Sequence, residues 1–270
     1  MTTFLFWNLG RRPLQAAVTA IARQNEVDVI MLAECLLPPN AILKTLNPIG
    51  RSDYHYAPSQ CRKIKIFTRF PAEFIRPLLE DNRTTIRHLR IPATTDILLA
   101  VTHLPSKSYW KESSQVAEIT VLASDIRDLE RRMGHSRTVL VGDLNANPFE
   151  PGVVNANALH GVMCRRIAEE RERVVQGRAY PYFYNPMWSL LGDASPGVPG
   201  TYFYRSAEHT VYFWNMFDQV LIRPDLLNAF RKEDLEVLQS DGVASLLSEN
   251  GLPDGDAFSD HLPVLFRLRL

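Results

Sequence analysis

TVLVGDLNANP, residues 138–148, places a carboxylate and two amides directly after an apolar run of strand length. Val139, Leu140 and Val141 suit a buried strand, and Gly142, Asp143, Asn145, Asn147 and Pro148 form a turn-rich ending. A tight Asx-type turn would account for that ending by itself. The rest of the chain argues for more. Apolar runs of the same kind are FLFWNL from Phe4, DVIMLAE from Asp28, DILLAVTHL from Asp96, FDQVLI from Phe217 and PVLFRLRL from Pro263. Polar residues recur at one end of each: Asn8, Glu34 and His103 close the first three, Asp218 opens the fourth, and Ser259, Asp260 and His261 lead into the last. A buried carboxylate is costly unless it is paired or holds a cation. A metal site explains several such residues at once, whereas capping, a core histidine and strand-entry turns explain them only one by one.

The spacing predicts two longer helices. Pro13 suits a first turn, with Leu14, Ala17, Val18 and Ile21 on one face. A second runs from Glu112 to about Met133, with Val116, Ile119, Ala123, Ile126 and Met133 buried and Asp125, Arg127, Asp128, Glu130 and Arg131 on a solvated face. Residues 64–90 read as further strands and turns. A charged helix, RRIAEERERVV from Arg165, is expected to lead into an aromatic stretch rich in Pro and Gly, residues 179–206. These helices are too few to cover a fully parallel sheet, so mixed sheets in one domain over residues 1–270 are expected.

Composition sets outer bounds. The 270 residues are 46% hydrophobic and 22% charged, with 30 basic and 30 acidic side chains. Zero net charge is a poor basis for broad electrostatic binding of nucleic acid, although it permits a local basic groove. Cys35, Cys61 and Cys164 are too few and too far apart for a disulfide framework or a zinc site. The opening MTTFLFWNL lacks the pattern of a signal peptide, and no apolar run approaches the roughly 20 residues of a membrane span. A cytoplasmic protein is the expectation.

The ordered set FWNL, LAE, THLPS, VGDLNANP, FDQVLI and SDHLP resembles the endonuclease/exonuclease/phosphatase superfamily, the DNase I-like proteins, from Asn8 to His261. The resemblance implies a four-layer α/β/β/α sandwich with two packed central mixed sheets. It also implies Mg²⁺, with Mn²⁺ as a substitute, held by Glu34 and Asp260 with Asn8 in or near the metal shell. Asp143 would lie beside the attacking water and Asn145 would contact the phosphate. His261, oriented by Asp218, would be the general base or a phosphate contact, and His103 would donate to a phosphate oxygen or assist the leaving group. The chain departs from the family where Ala33 and Cys35 flank Glu34, where Gln219 follows Asp218, and in SQCRKIKIFTRF (59–70), which offers no acidic partner for His103.

Three functions are compatible with these residues. One is a nuclease acting on DNA or RNA, supported by the basic cluster Arg62, Lys63, Lys65 and Arg69 and by aromatic residues able to stack on bases. Another is a phosphatase or phosphodiesterase acting on a small phosphate ester or lipid headgroup, which the neutral charge favours. The last is a binding module on an inactive fold, against which the complete set of acids and histidines argues. For substrate contacts the sequence nominates Tyr182, Tyr184, Trp188, Tyr202, Tyr204 and Arg205, beside Asn145 and His103, with at least two of the five rings on the open side of the cleft.

Overall fold

The structure, a computed structural model, describes residues 1–49, 52–107 and 110–270. The chain begins with strand β1 (Thr2–Asn8), helix α1 (Gln15–Gln24), β2 (Val29–Ala33) and α2 (Pro39–Leu46). Four strands follow, β3 (His55–Ala57), β4 (Ile64–Thr68), β5 (Ile75–Glu80) and β6 (Thr84–Leu89). Next come β7 (Ile97–His103), the long α3 (Glu112–Met133) and β8 (Thr138–Asp143), then α4 (Pro151–Val154), β9 (Gly161–Val162) and α5 (Arg165–Ala168). Short pieces fill the middle of the second half: β10 (Glu172–Val175), β11 (Arg178–Pro181), β12 (Phe183–Tyr184), β13 (Tyr202–Phe203) and β14 (Trp214–Asn215). The chain closes with β15 (Asp218–Ile222), β16 (Leu235–Val237) and β17 (Val264–Leu268).

Two mixed sheets result, one of six strands in the order β16-β17-β1-β2-β4-β3 and one of seven in the order β5-β6-β7-β8-β15-β12-β9. The strand alternation sorts side chains into layers. Ile97, Leu99, Val101, Val139, Val141, Val220 and Ile222 face the core between the sheets, which also takes in β1, β2 and the inner face of α1. Leu98, Ala100, Leu140 and Leu221 face the other way, onto Ile119, Leu122, Ala123, Ile126 and Leu129 of α3. The layers are therefore helix, sheet, sheet and helix, as the family resemblance implied. Among the described residues, no helix is long and apolar enough to cross a membrane.

Two sequence expectations are corrected here. Glu130 is not on a solvated face but 7% exposed. It accepts bonds from Arg223 Nε (2.8 Å) and Nη2 (3.1 Å) and from Thr138 Oγ1 (2.6 Å). Arg223 in turn lies 3.8 Å over the Phe183 ring and donates to the carbonyls of Pro181 and Tyr182. A pair buried together in this way is invisible to helical periodicity, because its other half lies 93 residues away. The charged helix from Arg165 is likewise only one turn long, and Glu172–Val175 instead pairs with Arg178–Pro181 as a hairpin. Its turn residues Gln176 and Gly177 both have positive φ, the backbone of a tight strand-joining turn.

Pairing register brings the polar strand ends together. Strand β1 runs parallel to β2, with Asn8 opposite Ala33, and β7 runs parallel to β8, with His103 opposite Asp143. Strand β15 runs antiparallel to β8, so its first residue, Asp218, is also opposite Asp143. Gly142 is required for this approach: a Cβ there would stand 2.0 Å from the carbonyl oxygen of Thr102 on β7.

Candidate active site

At the shared end of the two sheets, a cleft of about 600 Å³ is lined by Asn8, Glu34, His103, Asp143, Asn145, Asp260 and His261. Thus the residues nominated for metal binding and catalysis border one cavity, with Asp218 directly behind His261. The bond from Asn8 Nδ2 to Asp143 Oδ2 (2.9 Å) ties the sheets together at the floor. Asn8 Oδ1 meanwhile accepts from the Gly10 amide at 3.1 Å.

Asp143 is 1% exposed, and its other oxygen accepts from the Asn145 amide at 2.9 Å. Asn145 holds a left-handed backbone (φ 48°) and donates from Nδ2 to the Leu104 carbonyl at 3.0 Å. Glu34, directly after β2, is left-handed as well (φ 49°). Residues without a glycine's freedom adopt this region at a cost, and such conformations concentrate at functional sites. Arg11 Nε approaches Glu34 Oε2 at 3.3 Å.

His261 is held on three sides. Its amide donates to Ser259 Oγ at 3.1 Å, and Ser259 Oγ donates to the Asn8 carbonyl at 2.7 Å. Its carbonyl accepts from Trp7 Nε1 at 2.8 Å. Its Nδ1 meets Asp218 Oδ2 at 2.8 Å, leaving Nε2 on the cleft side, 3.9 Å from Asp143 Oδ2. Burial alone would lower the imidazole pKa, but the charges of Asp218, Asp143 and Asp260, with the hydrogen bond that Nδ1–H donates to Asp218, lift it to about 10.

His103 behaves differently. Its Nε2 lies 3.5 Å from both Glu34 Oε1 and Asp143 Oδ2. Burial pushes its pKa down, against the opposing pull of Asp143 and Glu34. Its Nδ1 is buried with no hydrogen-bond partner among the described residues, consistent with the acid missing from residues 59–70.

The aromatic nominations divide. Tyr202 and Tyr204 line the cleft. The Tyr202 ring lies 4.7 Å from that of His261 and stacks on Phe217 at 5.5 Å. The expectation that Tyr182, Tyr184 and Trp188 border the cleft is corrected. Tyr182 packs on His160, Tyr184 is edge-on to Phe230 in the main core, and Trp188 packs on Phe149. The reason is that Phe183–Tyr184 joins the second sheet as a strand instead of staying in a loop. Arg205 is exposed and is not among the lining residues. The basic cluster also stands apart from the lining: Lys65 donates to the Cys35 carbonyl, and Arg69 pairs with Asp28 at 3.9 Å.

The lining residues that sequence reading missed include Arg11, Lys107, Tyr212 and Asn215. Lys107 binds the Glu150 carboxylate, which accepts from the amide and side chain of Asn147 through Oε1. Asn147 Nδ2 then donates to Asn215 Oδ1 at 2.9 Å. The second amide of NANP, Asn147, was the available signal, since a mere turn does not need it.

A sequence model of the Endonuclease/Exonuclease/phosphatase family matches residues 5–261. No curated protein matches the chain. Solved structures that share the fold include the 3′ phosphatase NExo from Neisseria bound to a product DNA hairpin, with TM-score 0.61, 15% identity and full coverage of both chains. Truncated TDP2 from Caenorhabditis elegans has TM-score 0.57 at 16% identity, over 99% of this chain and 97% of that one. The endonuclease domain of TRAS1, a telomere-specific non-LTR retrotransposon, has TM-score 0.53 at 17% identity, over 100% and 99%.

Proposed function

The chain belongs to the Endonuclease/Exonuclease/phosphatase family, and from that premise we propose that it is a divalent-metal-dependent phosphoesterase, most specifically a nuclease cleaving phosphodiesters in DNA or RNA. The observation that carries this reading is the convergence of Glu34, Asp143, Asp260 and the Asp218–His261 pair on one cleft. Glu34 and Asp143 both approach the same nitrogen of His103 at 3.5 Å, and the nearest cation to Glu34 is the exposed Arg11. Carboxylates gathered at one cleft in this way fit a hard cation, and oxygen donors suit Mg²⁺ or Mn²⁺. Glu34, Asp260 and Asn8 would hold it, where it would neutralise charge on the phosphate and on the departing oxygen.

The protein's own groups divide the remaining work. Asp218 fixes His261 so that Nε2 is the nitrogen that exchanges a proton with the nucleophile or holds a phosphate oxygen. Asp143, oriented by Asn8 and Asn145, accepts a hydrogen bond from the attacking water. Asn145 and His103 contact the phosphate oxygens. NExo, bound to a product DNA hairpin, and the endonuclease domain of TRAS1 support a nucleic-acid substrate by analogy of fold. The neutral chain supports a small phosphate ester as the alternative substrate. The test is hydrolysis with Mg²⁺ or Mn²⁺ across single- and double-stranded DNA, RNA, inositol phosphates and sphingomyelin. Cleavage of nucleic acid alone is expected, and activity on none of the panel would refute the reading.

A further inference from the structure

We propose that this cleft accepts an unpaired nucleic-acid strand rather than a duplex, and that Tyr204 and Tyr212 determine this specificity by stacking on a base beside the scissile phosphate. The inference rests on the nuclease reading and narrows it to one substrate class.

One wall of the cleft is the β13–β14 hairpin, and hydrogen bonds make it rigid. Thr201 N donates to the Asn215 carbonyl (2.9 Å), and Leu262 N donates to the Thr201 carbonyl (2.9 Å). Asn147, from the turn that bears Asp143 and Asn145, donates to Asn215 (2.9 Å). The catalytic turn and the wall are therefore locked to one another. Beyond the strands, Tyr204 N donates to the Phe213 carbonyl at 2.8 Å, and Phe213 itself takes φ 61°. An aromatic residue held in that region is rare and is sustained only by surrounding contacts.

This rigid wall presents large rings to solvent. Tyr204 is 50% exposed and Tyr212 is 55% exposed, and both line the cleft. Tyr212 is supported edge-on by Phe149 at 5.1 Å, and Phe149 rests on Trp188 at 6.2 Å. A supported yet uncovered ring loses little freedom when a base stacks on it.

Charge points the same way. Among the described lining residues the only Lys or Arg side chains are Arg11 and Lys107, paired with Glu34 and Glu150. Duplex binding draws on many phosphate contacts made by uncommitted basic side chains. Here stacking must supply what charge does not, and a base can stack on a protein ring only when it is free of its own helix.

The test is fluorescence anisotropy on the full chain carrying His261→Ala in Mg²⁺, using a short labelled DNA strand and the blunt duplex of the same sequence. Binding to the single strand is expected to be at least about 10-fold tighter than to the duplex. Tyr204→Ala and Tyr212→Ala should each weaken single-strand binding by about 10-fold, a typical scale for one lost stack, and the Phe variants should restore it. The slope of log affinity against log salt should not exceed about 1.4 in magnitude, the single-strand value for two phosphate contacts. Equal affinity for the duplex, or alanine variants that are folded and bind as before, would overturn the inference. Tyrosine-dependent binding of single strands by a wild-type protein that hydrolyses no phosphate ester supports the inference and overturns only the enzymatic reading.

Discussion

His261 Nδ1 lies 2.8 Å from Asp218 Oδ2, across 43 residues of chain and between the two sheets of the sandwich. The aspartate is fully buried, and burial raises its own pKa against the pull of the imidazole. The pair fixes the ring orientation, so its loss should affect turnover before it affects the fold. His261→Ala is expected to lower kcat by at least about 10²-fold, the lower range for loss of an acid–base group. Asp218→Asn should also lower kcat with an unchanged circular dichroism spectrum. Near-normal turnover by folded His261→Ala protein would contradict the assignment.

Removing divalent metal should abolish hydrolysis, and Mg²⁺ or Mn²⁺ should restore it. The role of Glu34 can be read without activity: titration calorimetry of the metal-free protein should show Mn²⁺ binding that Glu34→Gln weakens by about 10-fold or more. Activity that survives EDTA unchanged, or binding indifferent to Glu34, would argue against the metal reading.

Glu130→Ala should destabilise the protein by about 3–5 kcal/mol, because it leaves the buried Arg223 guanidinium without its anion. Chemical denaturation measures this directly. A change within about 1 kcal/mol would mean that Arg223 reaches water or finds another partner.

Gly142→Ala tests the close approach of β7 and β8. The added methyl would collide with the Thr102 backbone, which cannot swing aside as a side chain can. A loss of about 3 kcal/mol or more is expected, at or above the usual limit for overpacking. A variant with wild-type Tm would show that the two strands can part at this point.

Asp96 sits at the opposite end of β7 from His103. Burial alone would raise its pKa, yet hydrogen bonds from His88 and Arg137 and the Arg137 charge bring it down to about 2. A depressed carboxylate pKa contributes stability above its unfolded value, about 3.8, and loses it as pH falls towards about 2. Asp96→Asn should therefore lower Tm at pH 6, and the gap to wild type should close between about pH 4 and pH 2. A gap that widens in acid would reverse the sign of this contribution.

Much of this architecture was legible in the order of residues. Each long apolar run became a strand, α3 spans Glu112–Met133 as its periodicity indicated, and polar residues at strand ends marked the cleft. Such features depend on local rules, strand alternation and helical spacing, which act over a few residues. The matches FWNL, GDLN and SDH depend on those same local stretches, so they too survive without knowledge of the fold. What the sequence could not decide was which distant side chains share one buried space. Glu130 appears solvated on a helical wheel until Arg223 arrives from just beyond the end of β15. Tyr184 and Tyr204 look equally suited to stacking, but β12 pairs into a sheet and buries one, while the β13–β14 hairpin leaves the other half exposed. Burial of a pair and exposure of a ring are properties of packing across the chain, and only the tertiary structure sets them.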